Sequence, residues 1–196
     1  MASVASFYLS KAFLAFMKEL EVKILEVNRK KIEETLNRIG AKKVFDGDIQ
    51  TMFFDFKDAS IVKAKDVLRL RKEQDKTELT YKKVHITEIA KLAEEYSVEV
   101  SNLETMKKIL ENIGLSVTES MKKYRVSYTI DHTRFDIDCY AGDYGYIPEF
   151  MEIEAENIDL IHKYAVLLGF KTEDCLPWST DELIRHYSFK KGKIDA

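Results

Sequence analysis

The sequence predicts an α+β fold in which strands close into a barrel and helices pack on its outside. Three observations lead there. Short runs alternate charged and apolar residues with a period of two, as in Glu19-Leu20-Glu21-Val22-Lys23 and Glu152-Ile153-Glu154. Three amphipathic helical stripes each stop at a glycine. The charged strand faces carry too much charge to be joined dry in a sandwich. Closing such strands turns their charged faces toward a water-filled lumen and their apolar faces toward the helices, so a tunnel follows from the pattern.

Residues 1–16 are apolar, but they lack the basic start of a signal peptide and are interrupted by Lys11. They also fall short of the roughly 20 residues that a membrane span needs. They read as a short packed helix or as an extension ahead of a start at Met17, and no membrane role is expected. The first strand, around Glu19 to Lys23, puts two carboxylates and an ammonium on one face. Like charges side by side repel, and a divalent cation such as Mg²⁺ or Mn²⁺ is the simplest agent to offset them.

A helix over Lys30 to Ile39 aligns Ile32, Leu36 and Ile39 and stops at Gly40. Two strands of opposite charge follow. Leu68-Arg69-Leu70-Arg71 aims two guanidinium groups at one face, and Thr80-Tyr81-Lys82 adds an ammonium, with Lys83 on the other face. Val84 to Ala93 reads as a peripheral loop. A second helix, Asn102 to Ile113, starts at a capping box of Ser101 and Glu104 and stops at Gly114. Lys123-Tyr124-Arg125-Val126 is again a cationic strand, and Glu152-Ile153-Glu154 an acidic one. A third helix, Ile158 to Leu168, follows Asn157 and stops at Gly169. The tail from Cys175 to His186 looks peripheral, with Thr180 capping a last helix that docks through Leu183 and Ile184. Trp178 reads as a packing anchor.

The 196 residues, 45% hydrophobic and 33% charged, suffice for one core, so residues 17–187 are expected to form a single domain and 188–196 a tail. A net charge of −3 argues against general nucleic-acid binding. Cys139 and Cys175 lack metal-ligand spacing, and a reducing cytoplasm is the default compartment. The histidines, His85, His132, His162 and His186, are scattered and receive no role. Carboxylates beside clustered cations suit a metal-bound polyphosphate, with arginine forks and lysine charges taking the phosphate oxygens.

Taken in order, these pieces resemble the CYTH superfamily of triphosphate tunnel metalloenzymes, which includes class IV adenylyl cyclases, thiamine triphosphatases and inorganic triphosphatases. The Glu-x-Glu-x-Lys signature is met by Glu19, Glu21 and Lys23, and the Arg-x-Arg strand by Arg69 and Arg71. Lys82, the Lys-x-Arg strand of Lys123 and Arg125, the isolated Asp138 and the closing pair Glu152 and Glu154 follow. The resemblance covers roughly residues 17 to 187. It departs from the family at Ala141 to Pro148, longer than the usual Gly-rich turn and bearing aromatics, and at Glu95, where a second acid two residues on is missing.

The resemblance implies a closed, eight-stranded antiparallel tunnel. It implies that Glu19, Glu21, Asp138, Glu152 and Glu154 bind Mg²⁺ or Mn²⁺, with Glu95 as a further candidate. Lys23, Arg69, Arg71, Lys82, Lys123 and Arg125 would hold the triphosphate, and Glu19, Glu21, Lys23 and Lys82 would serve the chemistry. Hydrolysis of inorganic triphosphate, a nucleoside triphosphate or thiamine triphosphate is the preferred reading, because it requires no nucleoside pocket. Cyclisation of ATP to cyclic AMP and pyrophosphate, and non-catalytic polyphosphate binding, are the alternatives. No nucleic-acid partner is expected, and a homodimer is compatible with the sequence.

Overall fold

The computed structural model describes residues 20–86 and 91–190. Among them are eight strands: β1 (Leu20–Ile24), β2 (Lys42–Phe56), β3 (Val67–Glu73), β4 (Lys76–Ile86), β5 (Lys91–Val100), β6 (Leu115–Ile130), β7 (Thr133–Ala141) and β8 (Phe150–Ala155). The helices among the described residues are α1 (Arg29–Arg38), α2 (Ser60–Lys63), α3 (Leu103–Asn112), α4 (Ile158–Leu167) and α5 (Thr180–Lys190). The strands form one antiparallel sheet in the order β1-β8-β7-β6-β2-β3-β4-β5. Among the described residues no hydrogen-bonded pair joins β1 to β5, so the sheet is not closed by hydrogen bonds into the expected barrel. None of the described helices is long and apolar enough to cross a membrane.

The chain divides into two compact units. The first contains β1, α1, residues 126–138, β8, α4 and α5. Its core takes Val22 and Ile24 from β1, Phe135 and Ile137 from β7, and Met151 and Ile153 from β8, against Leu36 of α1 and Ile161 of α4. Each of these lies on the apolar face that period-two alternation assigns it, and full burial of such side chains contributes about 1.5–3 kcal/mol apiece. Asn28 and Asn157 cap α1 and α4, accepting from the backbone N–H of Lys31 and Leu160. Gly40 (φ 84°) and Gly169 (φ 91°) occupy the left-handed positions that end these helices, as expected. The β6–β7 hairpin turns through Asp131 (φ 47°) and His132 (φ 57°), the doubly positive geometry of a tight two-residue loop.

The tail is not peripheral. Lys23 N–H donates to the Leu176 carbonyl (2.7 Å) and Leu176 N–H donates back to the Lys23 carbonyl (2.9 Å). Residue 176 therefore occupies the outer edge of β1, satisfying backbone groups that an edge strand otherwise exposes. Ser179, not Thr180, caps α5: its hydroxyl accepts from Glu182 N–H, while the Glu182 carboxylate accepts from Ser179 N–H. Trp178 packs on His186, ring centroids 5.0 Å apart, in keeping with an anchoring role.

The second unit comprises residues 46–125 and 139–147. Met52 and Phe54 of β2 and Leu70 of β3 pack with Leu103 and Leu110 of α3. Asn102, rather than Ser101, caps α3 by accepting from Thr105 N–H at 2.8 Å. The segment 84–93 departs from the expected loop: Val84 pairs with Ala93 and Ile86 with Lys91, so β4 and β5 extend into it from both sides. Backbone pairing across a hairpin depends on register, which leaves no mark in a mixed sequence such as this one.

Asp55, at the end of β2, accepts backbone N–H bonds from Phe56 (2.7 Å), Ile61 (2.9 Å) and Val62 (2.9 Å) and so supplies the N-terminal cap that α2 lacks locally. Burial raises its pKa, but the three N–H donors outweigh burial and hold it below the usual 3.8. A depressed carboxylate pKa stabilises the fold above the unfolded value and loses that contribution as pH falls through the folded one. Asp55→Ala is therefore expected to lower the melting temperature by several degrees at pH 7. The gap from wild type should close below pH 3.8, and thermal scans across acid pH check both.

Candidate active site

In the first unit, β1, β8 and β7 align ionisable residues in rows. Glu21 lies opposite Glu154, which lies opposite Arg134; Lys23 lies opposite Glu152, which lies opposite Asp136. The flanking residues Val22, Ile153 and Phe135 point to the core, so these six charges share the other face. Lys23 is only 2% exposed. Its Nζ bonds Glu152 Oε1 at 2.9 Å and is also paired with Glu21. Burial pulls its pKa down, yet the charges of Glu152 and then Glu21 prevail and raise it above its ordinary value. Lys23 therefore stays an ammonium and cannot act as a base near neutral pH.

Asp138 is fully buried two residues beyond Asp136 on the same face of β7. Arg134 Nε donates to both oxygens of Asp136, at 2.9 and 3.1 Å, and Arg134 Nη2 donates to Ser127 Oγ at 3.2 Å. Arg134 and Asp136 were missed as site residues from sequence, although Arg134-Phe135-Asp136-Ile137-Asp138 follows the same alternation that marks β1 and β8.

In the second unit, Arg69 and Arg71 project from one face of β3, with Leu70 between them buried in the core. Arg69 lies opposite Thr80 and Arg71 opposite Glu78. Both Nε atoms are buried without a hydrogen-bond partner among the described residues. Arg69 reaches Glu95 only at 3.8 Å, and Arg71 Nη1 reaches Glu73 at 3.3 Å. Burial, and next the charge of Arg71, pull the Arg69 guanidinium below its ordinary pKa against Glu95. Lys82 on β4 bonds Glu95 Oε2 at 2.8 Å, across a register that pairs the two residues. Burial would raise Glu95; its hydrogen bond to Lys82 and the charges of Lys82 and Arg69 hold it below its ordinary value. Glu95 thus lies against Lys82 and Arg69.

Lys123 and Arg125 alternate on β6. Lys123 Nζ lies 5.8 Å from the Tyr140 ring centre, and Arg125 is buried. Glu19 lies outside the described residues. The structure thus gathers Glu21, Lys23, Glu152 and Glu154 into one set, and Arg69, Arg71, Lys82 and Glu95 into another.

A divalent cation needs hard oxygen donors. Glu21, Glu152 and Glu154 supply them on adjacent strands, and with Asp136 four carboxylates outnumber Lys23 and Arg134 on this face, which leaves the patch negative. This donor set fits Mg²⁺ or Mn²⁺ chemically. Among the described residues no three such side chains are already drawn together around a cation position, since Glu21 and Glu152 converge on Lys23 instead.

The sequence model of the CYTH domain family matches residues 17–164. A Methanocaldococcus jannaschii protein, named provisionally as an adenylate cyclase, is 29% identical over 154 residues, 77% of this chain and 84% of that protein. A solved Pyrococcus horikoshii protein superposes with a TM-score of 0.66 at 25% identity, covering 84% of this chain and 98% of its own. A Hippeastrum protein, provisionally an adenylyl cyclase and described as having dominant triphosphatase activity, superposes with a TM-score of 0.59. At 15% identity, over 86% of this chain and 95% of that one, it shares the fold alone.

Proposed function

Because this chain belongs to the CYTH domain family, we propose that it is a divalent-metal-dependent triphosphatase. The observation that carries this reading is the pair Arg69 and Arg71. Two partly buried guanidinium groups stand side by side, each with an Nε that bonds nothing among the described residues. Keeping like charges together at a burial cost makes physical sense when an anion satisfies both, and a polyphosphate chain offers oxygens to a row of forks.

In this reading Arg69, Arg71 and Lys82 bind and orient the phosphates, with Lys123 and Arg125 as further cations. Glu21, Glu152 and Glu154, with Glu19 and Asp138 as the remaining candidates, hold Mg²⁺ or Mn²⁺. A divalent cation, when bound by these carboxylates, would supply positive charge for the transfer of a phosphoryl group. Lys23, kept protonated, fixes the carboxylates of Glu21 and Glu152 in place. Water attacks the terminal phosphorus, the bond to the bridging oxygen breaks, and orthophosphate leaves. Positioning and electrostatics supply most of the rate in such transfers.

A second reading is supported by the name of the Methanocaldococcus relative. There the ribose 3′-hydroxyl attacks the α-phosphorus and pyrophosphate leaves, giving cyclic AMP. Incubation with Mg²⁺ or Mn²⁺ and ATP, inorganic triphosphate or thiamine triphosphate, resolved by ion-exchange chromatography, separates the two. Orthophosphate release that drops at least about ten-fold in Glu21→Ala is the expected result. Cyclic AMP with pyrophosphate would replace it with the cyclase reading, and no turnover of ATP, inorganic triphosphate or thiamine triphosphate would sink both.

A further inference from the structure

We propose that Tyr144 and Tyr146, backed by the buried Tyr140, form a stacking seat for the planar nitrogenous ring of an organic triphosphate. The preferred substrate is then a triphosphate ester rather than inorganic triphosphate. This inference rests on the triphosphate reading above and assigns the part of the substrate that the cationic residues leave unaccounted for.

The three rings form a continuous series. Tyr140 and Tyr144 have centroids 5.9 Å apart, and Tyr144 and Tyr146 lie 6.5 Å apart, with planes tilted by 52° and 36°. The series begins at Lys123, whose ammonium lies 5.8 Å from the Tyr140 ring and which is one of the cations assigned to phosphate. Phosphate recognition and an aromatic surface therefore adjoin within a single unit of the fold. Tyr140 is buried, whereas Tyr144 and Tyr146 on the loop beyond it are only half-buried and lie outside both hydrophobic clusters. Packing of the core thus does not explain why two tyrosines sit on this loop.

The loop is built to hold them still. Gly142 (φ 65°) opens a single 3-10 turn, Gly142–Tyr144, closed by a bond from Gly145 N–H to the Gly142 carbonyl at 3.0 Å. A second bond, from Ile147 N–H to the Tyr144 carbonyl at 2.9 Å, follows it. Gly145 is needed for compactness, because a Cβ there would meet the Gly142 carbonyl oxygen at 3.2 Å. The Tyr144 hydroxyl donates to the Glu119 carboxylate of β6. Burial, then that bond, push the phenol pKa far above its usual range, so the ring is held as a neutral donor. A ring fixed in this way loses little freedom when a second ring stacks on it. Glu119 adds a carboxylate beside the stack, which favours a ring bearing amino donors or positive charge. Inorganic triphosphate presents no apolar or π surface to such a seat.

The test measures dissociation constants of the full chain by calorimetry, in EDTA to prevent turnover, for inorganic triphosphate, ATP and thiamine triphosphate. Wild type is compared with Tyr146→Leu, which keeps apolar bulk and loses the π face, and with Tyr144→Phe, which loses only the bond to Glu119. The ratio of organic to inorganic affinity is expected to fall roughly ten-fold in Tyr146→Leu and less in Tyr144→Phe. A drop for ATP identifies a nucleobase in the seat, and a drop for thiamine triphosphate a cationic ring. Unchanged ratios for both esters overturn the seat while leaving the triphosphate site standing. If wild type binds none of the three either in EDTA or with Ca²⁺ added in its place, the triphosphate reading falls and the seat with it.

Discussion

Arg71→Ala is expected to weaken binding of inorganic triphosphate by roughly 10- to 150-fold, the equivalent of the about 1.5–3 kcal/mol typical of hydrogen bonds to a charged group. The same variant should unfold no earlier than wild type. Arg71 is one cause of the depressed Arg69 pKa, its own Nε is unsatisfied, and its ion pair to Glu73 is long at 3.3 Å. Removing it relieves repulsion and an uncompensated burial, so the protein gives up function and keeps stability. Calorimetric titration with inorganic triphosphate, beside a thermal melt, checks both halves. Undiminished binding, or a clear drop in melting temperature, would mean that Arg71 is a structural ion-pair partner instead.

The second large effect falls on stability. Lys23→Met leaves Glu21 and the largely buried Glu152 facing Glu154 without their shared ammonium. Breaking a buried pair by removing one partner costs several kcal/mol. Glu21 is about half exposed, so screening favours the low end, about 3 kcal/mol, or a melting-temperature loss of roughly 6–12 °C for a chain of this size. The pH dependence carries a definite sign. A folded pKa above the unfolded value of 10.5 means that the contribution is fully present below pH 10.5 and is lost as pH rises through the folded value. The gap between wild type and Lys23→Met should therefore hold from neutrality to pH 10 and narrow above it. A constant gap would disprove the role assigned to the Lys23 charge.

The strands that carry charge were legible because period-two alternation decides which face a residue takes. Glu21, Lys23, Glu152 and Glu154 come to one face for that reason, as do Arg69 and Arg71. Helix ends were equally plain where glycine was needed for a positive φ, at Gly40, Gly114 and Gly169. Caps slipped by one residue, Asn102 for Ser101 and Ser179 for Thr180, because neighbouring side chains of the same capping class compete and only backbone geometry decides. Two features left no local signal. The bridging of Arg69 and Lys82 by Glu95 depends on strand register, and the pairing of Lys23 with Leu176 joins backbone atoms far apart in the chain. Arg134 and Asp136 share with Asp138 the period-two pattern that places them on one face of β7.

The pairing of β1 with β8 sets a timetable for synthesis. Leu20 must meet Ala155, and Glu21 must meet Glu154, about 130 residues later in the chain. At a translation rate of roughly 5–20 residues per second, β1 waits on the order of ten seconds or more after leaving the ribosome before its partner exists. During that interval it is an orphan strand with apolar Val22 and Ile24 on one side. The alternating Glu21 and Lys23, later part of the candidate site, keep its other side hydrated and so discourage premature pairing with a neighbouring nascent chain.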